Sequence, residues 1–251
     1  MRSSEKGQLI YHNHSSLDFG MYVETPITIP TPEPDITATH VNGRNGDILQ
    51  PYHSFKNISL TVQVSVFKPS KYRNLYQLKN AITDWLIDPN PKYDYLKFSD
   101  NREWVWEAVV NTPPVLTPLQ EQGVEEEIDG SITFNCKPIM KRNNGTYWQP
   151  VHESFSNTTN MTAIPDWHIV GNGTYVLTVN GLTYTFNSVD GEVYVDGENC
   201  QVYKSETENR SSMVEFANND APILVPGDNT VVLAGDTPDK FEFRPNWRRL
   251  A

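Results

Sequence analysis

One ten-residue stretch constrains this chain more than any other. From Ile58 to Phe67, the apolar residues Ile58, Leu60, Val62, Val64 and Val66 alternate with Ser59, Thr61, Gln63 and Ser65. A strict period of two over nine positions fits a strand with one face in a core and the other in water. The period then changes. Tyr72, Leu75, Leu78, Ile82 and Trp85 follow at helical spacing and make a single apolar stripe. Ser70 stands where an N-cap belongs, and Asp88-Pro89 ends the run, because the residue before a proline resists the helical conformation. The spacing predicts a helix over about 70–87, and no second segment carries such a stripe.

The remainder alternates or turns. Strands are predicted at Trp104–Val110 and Ile128–Cys136, then at Tyr175–Val179 and Leu182–Phe186 around Asn180-Gly181, a strong hairpin signal. Val193–Val195, punctuated by Asp190-Gly191 and Asp196-Gly197, Asn229–Leu233 and Lys240–Phe243 complete the series. Lys141-Arg142-Asn143-Asn144-Gly145 breaks the alternation and is the expected linker. The predicted domains are therefore 1–141 and 142–251, each near ordinary domain size. The expected fold class is mainly β, with an N-terminal β-sandwich carrying one α-helix and a C-terminal β-sandwich.

A proline-rich stretch, Pro26, Pro30, Pro32 and Pro34, precedes Ile36–Val41, a tip of Asn42-Gly43-Arg44-Asn45-Gly46-Asp47, and Ile48-Leu49. Proline belongs at strand edges and in extended connections, so this segment is expected to be a hairpin over about 35–50 that projects from the body. A hairpin alone is marginal in water, which implies that a second chain covers it.

Charge and composition exclude several classes. Lys+Arg 20 against Asp+Glu 31 gives a net charge of -11, which disfavours binding to phosphate backbones. No run approaches the length of a membrane helix, and the polar opening Met1–Ile10 predicts no secretory signal. Cys136 and Cys200 are expected to be buried or half-buried thiols, not a disulfide. The histidines, with His12 and His14 in a polar loop, lack zinc-site spacing. Seven Asn-X-Ser/Thr matches, at Asn13, Asn57, Asn144, Asn157, Asn160, Asn172 and Asn209, follow from the chain's Asn richness and are not read as glycan sites.

Chemistry-bearing motifs are few. There is no nucleophile elbow, phosphate loop or metal helix motif. Gly43-x-x-Gly46 is too short for a nucleotide loop. Glu125-Glu126-Glu127, which glycoside hydrolysis could use as paired carboxylates, is read as the charged edge of a loop between strands. Tyr147, Trp148 and Trp167 could stack on sugars, the basis of an alternative reading as a carbohydrate-binding module for host cell-wall saccharides. Such residues are otherwise core or interface. The expectation is a structural protein, with no catalytic residues, no metal and no cofactor.

With these elements placed, the sequence resembles the distal tail (Dit) proteins of siphophages of Gram-positive bacteria. The resemblance rests on Ser15-Ser16-Leu17-Asp18-Phe19-Gly20-Met21-Tyr22-Val23, the tip Val41–Asp47, Ile82-Thr83-Asp84-Trp85-Leu86, Leu96-Lys97-Phe98-Ser99-Asp100 and Ile132–Pro138. In the second half it rests on Val179-Asn180-Gly181, Val195-Asp196-Gly197, Leu224–Asn229 and the tail Phe243–Leu250. It spans essentially the whole chain. The resemblance implies a tail-tube-like first domain whose belt hairpin (Val41, Asn42, Gly43, Arg44, Asn45, Gly46, Asp47 at its tip) embraces a neighbouring subunit, and a galectin-like second domain. It further implies a homo-hexameric ring in the baseplate at the tip of the virion tail, assembled in the host bacterial cytoplasm. The ring would join the tail tube protein to the tail-associated (Tal) protein and to peripheral receptor-binding proteins, serving host adsorption, with DNA crossing its lumen at ejection. Neither sequence-specific nucleic acid binding nor a membrane enters this role.

Overall fold

The computed structural model describes residues 6–121 and 124–251. The chain is mainly β and divides into two units, residues 1–140 with 250–251, and residues 141–249.

The first unit is built on the strand Ile58–Phe67, whose buried and exposed positions alternate as its residues do. It pairs antiparallel with Val124–Cys136, so that Leu60 faces Phe134, Val62 faces Ile132 and Val66 faces Ile128 on the core side. Each fully buried side chain of this kind contributes about 1.5–3 kcal/mol. Around this pair runs a sheet in the order Lys6–Gly7, Met21–Glu24, Ile58–Phe67, Val124–Cys136, Trp104–Val109, Asp94–Phe98, Leu9–Tyr11, His14–Ser15. Lys6–Gly7 at one end and Leu9–Tyr11, next to last at the other, are consecutive in sequence, since only Gln8 separates Gly7 from Leu9. Two residues of extended chain span at most about 7 Å, so the sheet curls until its ends meet, and Gln8 joins them by exchanging hydrogen bonds with Ser99. The core of this closed sheet is a single cluster from Leu9 to Met140.

The helix is shorter than the spacing predicts: it spans Leu75–Leu86. Asn74, not Ser70, caps it. The Asn74 side chain accepts from the Gln77 backbone N–H at 2.9 Å, while the Gln77 side chain accepts from the Arg73 N–H at 2.8 Å. These two bonds at one helix start win over a lone serine hydroxyl, and Tyr72 packs on the core from a turn. Leu75, Leu78, Ile82, Trp85 and Leu86 are buried. The Trp85 ring stacks on Phe19 at 4.7 Å, and its indole N–H donates to the Tyr11 carbonyl at 2.9 Å.

The motif Ser15–Gly20 has a physical explanation. Ser15 and Asp18 form a capping box on a 3-10 turn, Ser16–Phe19, and the buried Ser16 hydroxyl accepts from Leu9 N–H at 3.2 Å. Gly20 closes the turn at φ 67°, and a Cβ there would lie 2.1 Å from the Phe67 carbonyl oxygen. Glycine is the residue that fits.

The second unit is a two-sheet sandwich. One sheet orders Gln149–Pro150, Lys240–Arg244, Asp166–Val170, Glu192–Asp196, Gln201–Ser205 and Glu208–Asn209; the other orders Ser154–Asn157, Gly227–Gly235, Gly173–Val179, Leu182–Val189 and Val214–Glu215. Alternate residues of both meet in one core, Trp167, Ile169, Val193, Val195 and Phe243 against Tyr175, Leu177, Val179, Phe186 and Val231. Asn180-Gly181 makes the expected hairpin turn, both residues at positive φ.

Four expectations are corrected. The segment 141–145 is no loose linker: a strand, Ile139–Arg142, runs into a 3-10 turn, Asn143–Thr146, with Gly145 and Thr146 buried. At Asp196-Gly197 the positive φ falls on Cys200, and Gly197 is needed for space, since a Cβ would meet the Pro165 carbonyl at 2.2 Å. His12 and Asn13, both at positive φ, are the two-residue turn of a hairpin between Leu9–Tyr11 and His14–Ser15, not an open loop. Glu125–Glu127 belongs to the strand Val124–Cys136, where ladder pairing with Val115–Glu121 outweighs the charge run. The side chains of Glu125 and Glu126, and the opening residues 1–5, lie outside the described residues.

Candidate functional site

The segment between the strands Met21–Glu24 and Ile58–Phe67 builds an arm. Pro34–Thr39 and Ile48–Phe55 pair with each other and with no other strand among the described residues. Every residue from Ile36 to Asn57 is exposed. At the base, Lys56 N–H donates to the Glu33 carbonyl at 2.9 Å. Outward, the Thr37 and Tyr52 hydroxyls lie 3.0 Å apart, and Ser54 donates to Asp35 at 3.4 Å.

Register decides what the arm presents. Ile36 faces Pro51 and Ala38 faces Leu49, whereas Thr37 faces Gln50 and Thr39 faces Ile48. Side chains alternate across a ribbon, so Ile36, Ala38, Leu49 and Pro51 form one apolar face and Thr37, Thr39 and Gln50 share the other with Ile48. A two-stranded ribbon with one apolar face open on both sides lacks the layer that such a face requires.

The expected tip residues all lie at the distal end. Arg44 N–H donates to the Val41 carbonyl at 3.2 Å, and Gly43 and Gly46 sit at φ 83° and 82°. Nothing stands within 4 Å of a Cβ at either glycine, so backbone sign, not space, selects them. His40 Nδ1 and Asp47 Oδ1, 3.3 Å apart, tie the two sides of the tip together. Asn42 and Asn45 flank the glycines.

A second open edge accompanies the arm. Val115–Glu121 pairs only with Val124–Cys136, which leaves its outer edge unpaired among the described residues, with Val115 and Leu119 exposed.

Elsewhere the chemistry is structural. Cys136 and Cys200 are free; burial pushes the Cys136 thiol up to about 12 and raises that of Cys200 as well. Burial also raises the Asp166 carboxyl, although Asn246 and the Gly197 N–H donate to it; those partners staple two turns to the sandwich. Among the described residues no group of three or more His, Cys, Asp or Glu is arranged to hold a metal ion, and no helix is long and apolar enough to cross a membrane. The side chain of Asn157 is buried, donates to the carbonyls of Met161 and Leu224, and so is closed to a glycan.

The three candidate aromatics separate. Trp167 is fully buried in the sandwich core, which removes it from any surface role. Tyr147 is exposed. Trp148 is half-buried on the outer side of the sheet, 4.3 Å from the Arg244 guanidinium. Sequence reasoning missed Arg244, His168, Tyr194 and Tyr203 around it, because their grouping depends on strand order and no local pattern marks it.

No protein-family model matches the chain, and no curated protein matches it. Among solved structures, the Dit (gp 19.1) protein of SPP1, described as a paradigm of hub adsorption apparatus in Gram-positive infecting phages, is similar in fold. At 15% sequence identity and a TM-score of 0.63, the likeness covers 98% of this chain and 100% of that one. The chain has the fold of a Dit protein, both units included.

Proposed function

We propose that this chain is a structural baseplate protein, the distal tail hub of a siphophage. Six copies close into a ring that joins the tail tube to the tail-associated protein and carries receptor-binding proteins at its periphery, at the tip of the virion tail. The observation that carries this reading is the whole-length likeness in fold to the SPP1 hub protein. The arm supports it physically. A ribbon with an uncovered apolar face is suited to lie on an adjacent copy, and a head-to-tail contact repeated at a fixed rotation closes into a ring. The tip Val41–Asp47 is the belt's leading end. If part of the net charge of -11 per chain lines the lumen of the ring, passing DNA meets like charge there and does not stick.

Light scattering and negative-stain images of the purified protein test this directly. A hexameric ring, or a monomer in equilibrium with one, is expected. A variant with Val41–Ile48 reduced to a two-residue turn keeps the circular dichroism of the native chain and loses the ring. A strictly monomeric native protein that also fails to assemble with tube or tail-associated proteins overturns the proposal; rings formed by the shortened variant overturn the belt assignment.

A further inference from the structure

Five asparagines of this chain precede a glycine: Asn42, Asn45, Asn144, Asn172 and Asn180. A glycine has no side chain to shield its own backbone nitrogen, so that nitrogen can reach the side-chain carbonyl of the asparagine before it. The five pairs differ in how firmly the fold holds them. The Asn180 side chain donates to Asn229 Oδ1 at 2.8 Å and accepts from the Thr230 N–H at 3.0 Å. The Asn172 side chain accepts from the Gly191 N–H at 2.9 Å. After Asn144, Gly145 is buried in a 3-10 turn, and a Cβ there would lie 3.1 Å from Trp247.

The two pairs at the tip of the arm lack such restraints. Among the described residues no hydrogen bond engages the side chain of Asn42 or Asn45, or the backbone N–H of Gly43 or Gly46. Both asparagines are exposed, and a Cβ at either glycine would meet nothing within 4 Å. What ties the tip together is the 3.2 Å bond from Arg44 N–H to the Val41 carbonyl and the 3.3 Å contact of His40 with Asp47. Both bracket the Asn-Gly pairs without touching them, and both are open to water. Turning the asparagine backbone so that the glycine nitrogen meets Cγ displaces at most these two exposed contacts, whereas at Asn172 and Asn180 it breaks the bonds that close a sandwich turn.

We infer that Asn42 and Asn45 are sites of self-modification, deamidated by water through a cyclic imide. The Gly43 nitrogen gives its proton to water or hydroxide and attacks Asn42 Cγ; the new C–N bond closes a five-membered ring, the Cγ–Nδ2 bond breaks, and ammonia leaves with a proton. Water then adds to one of the two imide carbonyls. Opening at one restores the backbone and leaves aspartate; opening at the other routes the backbone through Cβ and leaves isoaspartate. Gly46 does the same to Asn45. Each event turns a neutral amide into a carboxylate, so the two together take the chain from -11 to about -13. Arg44 then stands among three carboxylates, the two new ones and Asp47. The end of the arm thus acquires charge, and in part a longer backbone, with the age of the molecule. This inference rests on the exposure of the arm and stands apart from the hub reading.

The test is a time course of the intact chain in mildly alkaline buffer, which ionises more of the attacking amide, read by peptide mass mapping. Each conversion adds about one dalton at the asparagine, and labelling with an isoaspartyl methyltransferase separates isoaspartate from aspartate. Asn42 and Asn45 should convert at least about tenfold faster than Asn144, Asn172 and Asn180. The double variant Asn42→Gln, Asn45→Gln should lose the acidic shift that the native chain develops on ion exchange. In guanidinium chloride the difference should vanish, with the three slow sites rising to the rate of the tip. No gain at Asn42 and Asn45, or equal rates at all five sites in the folded chain, overturns the proposal. A difference that persists in the unfolded chain overturns it as well, because neighbouring residues and not the fold would then set the rates.

Discussion

Replacing Ile36 and Leu49 together by alanine separates the arm's contribution to assembly from its contribution to folding. Both side chains sit on the apolar face of the ribbon, and in the isolated chain 44% and 61% of their surfaces remain open. Complete burial of such a side chain contributes about 1.5–3 kcal/mol. The open share leaves about 0.7–1.3 kcal/mol for Ile36 and about 0.9–1.8 kcal/mol for Leu49, to be gained only when another surface covers them. Taking the lower part of that range, because alanine keeps its Cβ, the pair contributes about 2 kcal/mol to each contact, or about thirtyfold in its equilibrium constant. The fold itself should lose little, about 0.5 kcal/mol or less, as is usual for exposed positions. Sedimentation velocity over a concentration series measures the first quantity, and thermal unfolding at a concentration where both proteins are monomeric measures the second. The expected result is an assembly midpoint raised by at least about thirtyfold with an unchanged melting temperature. An unchanged assembly midpoint would refute the reasoning, because the apolar face would then not be buried between copies. A lowered melting temperature would refute it from the other side, because the arm would then be part of its own chain's stability.

Three further outcomes are expected. Asn229→Ala should destabilise the second unit by about 2–4 kcal/mol in a thermal melt, since the buried Asn229 amide donates to the Val225 and Gly227 carbonyls and its oxygen accepts from Asn180; a shift no larger than that of an exposed substitution counts against this network. A thiol reagent at about pH 8 should leave Cys136 unmodified until the protein unfolds, its thiol held near 12 by burial, with Cys200 reacting first; simultaneous modification of both in the native state contradicts this. Hydrogen bonds from His168 and Tyr194 hold the Glu192 carboxyl below its usual value of 4.5. A carboxyl so lowered stabilises the fold above its unfolded value and loses that contribution as pH falls through the folded one. The melting-temperature gap between native protein and Glu192→Gln should therefore be largest near neutrality and shrink below about pH 4; a gap independent of pH rejects the assignment.

What the sequence showed depended on the length scale of each signal. Ile58–Phe67 and the hairpin about Asn180-Gly181 are legible because long alternation and paired turn residues act locally. Leu9–Tyr11 and Met21–Glu24 escape notice because three or four residues carry no period. The helix start is not legible because Ser70 and Asn74 are both good caps, and only the bonds of Gln77 with Asn74 and Arg73 choose between them. The arm was visible through its prolines and Asn-Gly pairs, but its apolar face emerges only from the register that sets Ala38 against Leu49. The row of Trp148, His168, Tyr194 and Tyr203 is invisible in the sequence, since three strands and the segment before Gln149 must be brought together before the rings meet.

The junction at Gln8 governs how the first unit folds. Its partner Ser99 lies 91 positions further along the chain, so the seam cannot be sealed by any neighbour in sequence. Non-local closure of this kind places a domain among the slow folders. During synthesis Lys6–Gly7 and Leu9–Tyr11 find local partners in Met21–Glu24 and His14–Ser15, but the seam between them and Ser99 waits until more than a third of the polypeptide has followed. Substitutions along that seam should thus slow maturation of the subunit far more than they alter the finished molecule.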